Sequence, residues 1–321
     1  MHAIRQHEFG PPDVLRVEEL PDPVPGPGQV RIAVAAAGVH LLDTSIRSGA
    51  SGGLFPLPGL PMTPGREVAG VVDAVGEGVD PAWLGRRAVA HLGQTSGGYA
   101  TRAVREVAAV HEVPSALALP AAVAMIGTGR TALGVLEAAP PGPEDTVLIL
   151  GAAGGLGALL VQAAKAAGAT VVGAAGGRSK VWHVGELGAD VAVDYDEPGW
   201  AQAAGPATLV LDGVGGDRGR AALGLLRDGG RIAVFGWSSG EPTAPDGAEL
   251  ARRGITSVPV LGARMMERPG GLRGLEEAAL ARAAGGGWSP LLNAPFTLAE
   301  AARAHAALER RGTVGKVVLY A

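Results

Sequence analysis

The chain contains no cysteine, which removes disulfides, thiolate metal sites and a cysteine nucleophile at once. It also lacks a basic excess: 27 Lys and Arg stand against 31 Asp and Glu, and the cations form no stripe. The electrostatic footprint of a phosphate-backbone binder is missing, and no nucleic-acid partner is expected. The opening residues Met1-His2-Ala3-Ile4-Arg5 lack the charged and apolar regions of a secretory signal, so the expected location is the cytoplasm. From Thr146 to Ala164 no charge occurs, a length that approaches a membrane span. The glycine cluster inside that stretch breaks its periodicity and argues for a buried unit of a soluble fold, so no membrane partner is expected.

With 321 residues and 47% hydrophobic content, the chain can bury a large core and is expected to divide into two domains. Up to about Pro120, short apolar runs such as Gln29 to Ala35, Glu67 to Val75 and Arg86 to His91 are separated by glycine and proline, a spacing that predicts an antiparallel β domain. From about Ala121 the rhythm becomes strand and helix in alternation, with strands expected at Thr146 to Leu150, Thr170 to Ala174, Asp190 to Val193, Thr208 to Asp212, Gly230 to Gly236 and Ile255 to Leu261. That alternation predicts an open, doubly wound parallel sheet of α/β class. An alanine-rich helix near Leu298 to Arg311 and a final strand, Lys316 to Tyr320, close the chain by a return to the first domain. The expected divisions are 1–120, 121–262 and 263–321.

Within the second region, TVLILGAAGGLG from Thr146 to Gly157 reads as strand, phosphate-binding turn and helix. Val147 to Leu150 suit a strand buried on both faces. Gly154 lets backbone approach a pyrophosphate, Gly157 lets helix pack on strand, and the helix-start amides of Ala152, Ala153, Gly154, Gly155, Leu156 and Gly157 face the anion. Ala152 occupies the first glycine position of the usual GxGxxG frame. A tight turn without a ligand would use glycines in the same way; the flanking strand and amphipathic helix favour dinucleotide binding.

Further motifs follow in order: GVHLLDTSIRSG from Gly38, LPMTPGREVAGVVDAVG from Leu60, GGYA from Gly97, GTGRTA from Gly127, FGWSSG from Phe235 and TVGKVVL from Thr313. Together with the glycine turn they resemble the medium-chain dehydrogenase/reductase superfamily, specifically its zinc-independent NADPH:quinone oxidoreductase branch, over nearly the whole chain. The resemblance implies a Rossmann-type domain set between two parts of a GroES-like β domain, with substrate entering the cleft between domains. The zinc-dependent alcohol dehydrogenases of that superfamily take catalytic zinc with a cysteine and the histidine of a GHE motif. Here that motif reads Gly65-Arg66-Glu67, and a guanidinium has no lone pair to give, so no metal is expected.

An NAD-selective site places an acid at the end of the second strand, and Gly173 to Gly177 offers none. Arg178 and Lys180 follow, a cation pair that suits the 2′-phosphate of NADPH; a solvated helix start capped by Ser179 is the other reading. The resemblance implies phosphate contacts for Lys180 and Tyr195, with Gly177 in the same turn, and cofactor contacts for Gly127, Thr131, Phe235, Gly236 and Ser238. Lys316 touches the cofactor or caps the fold.

The implied activity is NADPH-dependent reduction of quinones by hydride transfer. Reduction of an enal, enone or enoyl thioester, or cofactor binding without turnover, are the alternatives. His40 stands where related reductases have asparagine beside the nicotinamide, and it is read either as a proton donor to substrate or as a core histidine satisfied by a carbonyl. Trp237 likewise replaces an asparagine, and it narrows the cleft or packs under a loop. Leu54 and Phe55 in the loop Ala50 to Pro61, and Met265 in the segment Gly262 to Gly271, are expected to border a cleft for an apolar or aromatic substrate, with core filling as the other reading of Met265. Asp43 and Arg47, four apart on a helical turn, are expected to pair with each other. Glu67 is expected to be a buried, partnered carboxylate. By resemblance the chain forms a homodimer through sheet edges.

Overall fold

A computed structural model describes residues 1–50, 57–93 and 96–321. Two compact units emerge, one from residues 1–127 with 276–321 and one from 128–275. These divisions fall later than those expected at 120 and 262. The helix Leu119–Ala124 packs on the first unit's strands, and Glu276 joins that unit through a 2.9 Å contact with the buried His111.

The strands of the first unit before the crossover are β1 (His2–Gln6), β2 (Leu15–Glu19), β3 (Gln29–Val39), β4 (Glu67–Val75), β5 (Arg87–His91), β6 (Arg102–Glu106) and β7 (Val110–Glu112). The second unit carries β8 (Thr146–Leu150), β9 (Thr170–Ala175), β10 (Val191–Asp194), β11 (Ala207–Asp212), β12 (Leu226–Val234) and β13 (Thr256–Pro259). The chain then returns to the first unit with β14 (Phe296–Thr297) and β15 (Val317–Tyr320).

The first unit is a predominantly antiparallel sheet in the order β14-β15-β3-β4-β5-β7, with β6 also on β3 and β1-β2 as a separate pair. Strand β3 runs to Val39, beyond the expected Ala35, because Ala36 to Val39 find a partner in β15, nearly 300 residues away in sequence. Ile4, Ile32, Leu92 and Tyr99 lie fully buried in this unit's core.

The second unit is a six-stranded parallel sheet in the order β10-β9-β8-β11-β12-β13. Its central strands are apolar and buried almost end to end, as helices on both faces require. From β8 the chain steps to β9 on one side and later to β11 on the other. That reversal opens a crevice at the carboxyl ends of the strands, where ligands bind in doubly wound sheets. The fold is therefore α/β: a Rossmann-type doubly wound sheet plus a GroES-like antiparallel domain. The apolar helical run 119–138 is long enough to span a membrane by length and composition, and 61% of its apolar 18-residue window is buried, as in a core helix.

Candidate functional site

At the carboxyl end of β8, Gly151 takes φ +69° and turns the chain, and the helix Gly155–Ala166 starts after Gly154. A Cβ on Gly157 would stand 2.3 Å from the Gly151 carbonyl oxygen and 2.7 Å from Ala152 Cα, so this helix can approach the strand only with glycine there. The first helical amides, Gly155, Leu156 and Gly157, have no acceptor within their own helix and point out of its positive end. Ala152 and Ala153 are buried beside them. The arrangement fits a pyrophosphate by backbone donors alone.

Next along the sheet edge, Gly177 adopts φ +90° and donates to Asp194 Oδ1 at 2.9 Å, setting the start of the helix Arg178–Glu186. Arg178 is exposed and Lys180 half-buried at this helix start, and Tyr195 follows β10. Two residues that the sequence reading did not single out join them. The Arg218 guanidinium lies 4.6 Å from the centre of the Tyr195 ring and pairs with Asp196. Only the fold could bring position 218 to position 195, since no local pattern links them.

At the end of β11, the buried Asp212 organises two loops. Its Oδ1 accepts from the amides of Val214 and Gly215 at 2.8 and 2.9 Å, and its Oδ2 accepts from the Thr243 hydroxyl at 2.6 Å. The loop after β12 is held by Phe235 and Ser238 amides donating to the carbonyls of Asp212 and Gly213. Phe235 is buried on Gly213, Gly236 packs near it, and Trp237 is 39% exposed with its Cβ beside Gly215. Met265 is buried with its thioether against Gly134, and Thr131 lies half-buried on the same helix, Arg130–Ala138. Leu54 and Phe55 lie outside the described residues.

The first unit gathers a different chemistry. Glu67, the first residue of β4, is fully buried, with Oε1 2.8 Å from His40 Nε2 and Oε2 2.8 Å from Lys316 Nζ. Lys316 Nζ is also 3.1 Å from His40 Nε2, so three ionisable groups from distant segments meet at one point. Two glycines clear the space. A Cβ on Gly127 would stand 1.8 Å from Glu67 Oε1, and one on Gly38 2.2 Å from Oε2. Gly127 reaches this position through the π-helical turn Met125–Gly129. Burial opposes ionisation of Glu67, but His40 and Lys316 outweigh it and hold the carboxyl well below the usual range. Among the described residues, no three His, Asp or Glu side chains cluster in a way that could hold a metal ion.

Beside this triad lies a second buried network. The Tyr99 hydroxyl donates to Asp43 Oδ2 at 3.1 Å and lies 3.1 Å from His305 Nε2, while the same Asp43 oxygen accepts from the His40 amide at 2.9 Å. Burial pushes the Tyr99 phenol up and the His305 imidazole down to about 4. The expected Asp43–Arg47 pair is corrected here. Asp43 turns back to cap its helix, Leu41–Ser48, and Arg47 pairs instead with Glu309 at 2.5 Å.

Residues 26–115 match the alcohol dehydrogenase GroES-like domain family and residues 155–277 the zinc-binding dehydrogenase family. A quinone oxidoreductase of Pseudomonas aeruginosa is 32% identical, with 97% of each chain covered. The chain belongs to the quinone oxidoreductase family of medium-chain dehydrogenases/reductases. The Escherichia coli quinone oxidoreductase complexed with NADPH superposes with a TM-score of 0.87 at 28% identity, both chains fully covered. A mycobacterial protein complexed with NADPH gives 0.85 at 34%, again over both full chains. Membership in this family accounts for a zinc-family match in a chain whose GHE position holds Arg66: the sheet is shared, the metal-ligating residue types are not.

Proposed function

We propose that this chain is an NADPH-dependent, zinc-independent oxidoreductase that reduces quinones. The observation that carries this reading is the carboxyl edge of the parallel sheet. An amide-lined helix start stands next to a helix start bearing Arg178 and Lys180, with no acid on β9, in a chain of this family. NADPH, when bound, supplies the hydride. In this reading Gly155, Leu156 and Gly157 hold the pyrophosphate with their amides, and Arg178, Lys180 and Tyr195 hold the 2′-phosphate.

His40 supplies the proton that must accompany the hydride. Its Nε2 is 2.8 Å from a buried carboxylate oxygen, so Nε2 carries a hydrogen, and Nδ1 is the ring atom left to exchange. Glu67 accepts from Nε2 and fixes that tautomer, as the acid of a hydrolytic triad does for its histidine. Nδ1 takes up a proton from water, which reaches it because the His40 side chain is 28% exposed, and passes that proton to the quinone oxygen that becomes anionic. Lys316 balances the charge of Glu67 so that one carboxylate serves two donors.

The resemblance supports a homodimer; light scattering that finds a monomer removes it. The function is tested by following NADPH consumption with 9,10-phenanthrenequinone against a panel of enones and an enoyl thioester. Quinone turnover well above the others is the expected result. Enone turnover alone, or saturable NADPH binding with no turnover of any acceptor, overturns it.

A further inference from the structure

The sequence carries no acid at the end of β9, yet the fold brings one there from the next strand. Asp196 follows β10, and its Oδ2 lies over Gly176, where a Cβ would stand 2.4 Å from it and 2.9 Å from Tyr195 Cε2. An acid at this place is what accepts from the ribose hydroxyls in an NAD-selective site. The other oxygen of Asp196, Oδ1, is taken by Arg218. Arg218 is in turn laid over the Tyr195 ring, and its Nε is buried with no hydrogen-bond partner.

We propose that Asp196 and Arg218 form a counter-ion switch that sets the preference of this chain between NADPH and NADH. The inference rests on the reading of this sheet edge as the adenosine-ribose site. A 2′-phosphate competes with Asp196 for Arg218, which becomes a third cation beside Arg178 and Lys180. A ribose bearing only hydroxyls leaves the pair intact and meets Asp196 Oδ2 as an acceptor. The exchange is open because both side chains are wet, Arg218 at 40% and Asp196 at 50% exposure, so the pair itself holds little free energy. The Tyr195 ring keeps the guanidinium plane in place while its partner changes, and a planar fork suits a phosphate better than a lone carboxylate oxygen. Asp196 thereby limits selectivity for NADPH, and Arg218 creates it.

The switch is tested on the full chain by calorimetric titration with NADPH, NADH, 2′,5′-ADP and 5′-AMP. In Arg218→Ala, NADPH and 2′,5′-ADP bind about tenfold or more weakly, as for loss of a charged hydrogen-bond partner, while NADH and 5′-AMP stay within about twofold. Asp196→Asn moves the other way, binding NADPH more tightly and NADH more weakly. Arg218→Lys keeps the charge without the fork and falls between. Arg220→Ala, which breaks only the exposed pair with Asp217 on the same helix, leaves all four affinities unchanged. An unchanged NADPH-to-NADH ratio in both Arg218→Ala and Asp196→Asn, in a chain that itself prefers NADPH, overturns the switch alone. Equal binding of NADPH and NADH by the unsubstituted chain overturns the cofactor reading beneath it.

Discussion

The two units each hold a cluster of opposite charges, one dry and one wet. Around Glu67 the carboxylate is fully buried and the Lys316 side chain is 6% exposed, whereas Asp196 and Arg218 are about half in water. At similar separations these clusters have different physics. A buried pair has given up its hydration, so removing either partner strands the other in a poor dielectric. A wet pair is screened and re-hydrates on breaking, so another anion can take its place. The dry cluster is held to one geometry, and the wet one is open to a change of partner.

The largest effect expected from this contrast is on the dry side. Glu67→Gln leaves the Lys316 ammonium buried without its counter-charge and should lower unfolding stability by about 3–5 kcal/mol, read by urea denaturation. Glu67→Gln combined with Lys316→Met removes both charges and should recover a large part of that loss. A single variant as stable as the parent would show that the cluster is wetter than its burial implies.

Acid should find the same unit. Burial lowers His305 from 6.5 to about 4 in the fold, so between those pH values the unfolded chain binds a proton that the native chain does not. Stability is therefore full above pH 6.5 and falls as pH drops towards 4, by about 3 kcal/mol from this group. Glu67 acts in the same direction lower down, since a carboxyl depressed in the fold loses its contribution as pH falls below its unfolded value of 4.5. Urea midpoints measured from pH 7 to pH 4 should fall steeply, and His305→Gln should flatten the upper part of that slope.

A smaller effect is expected at the chemical step. His40→Asn removes the ring that exchanges the proton and should lower kcat for the quinone on the order of a hundredfold, with NADPH affinity unchanged. The pH profile of kcat should change with it. Unchanged kcat and an unchanged profile would leave His40 as a polar wall of the Glu67 cluster.

The contrast also explains what could be read from the chain. Strand β8 was legible to the residue, because four branched apolar residues after Thr146, ended by glycine, admit little else, and Glu67 was expected to be buried at the head of the apolar run of β4. Its partners were not. His40 and Lys316 are 276 positions apart and meet only when β15 pairs with β3. Helical spacing misled for Asp43 and Arg47, since i,i+4 proximity is a weak force beside a helix cap and a partner on another helix. The wet cluster was half legible: Arg178 and Lys180 follow the strand in sequence, while Asp196 and Arg218 arrive from two other strand ends. Local patterns report what a segment buries, and pairings across segments wait for the topology.

The smallest effect is expected at an exposed charge pair of the first unit. Arg86 and Glu112 of that unit contact at 2.7 Å, as close as the Glu67 pairs, but are 43% and 57% exposed. If solvent rather than the unit decides the worth of a charge pair, Arg86→Ala, Glu112→Ala and the double variant should give a coupling below about 0.5 kcal/mol in a double-mutant cycle. Raising the salt concentration should shrink even that, while leaving the Glu67 coupling nearly unchanged. A coupling at the Arg86 pair comparable to that at Glu67 would mean that distance, not hydration, governs both, and the partner exchange argued for Arg218 would lose its physical basis.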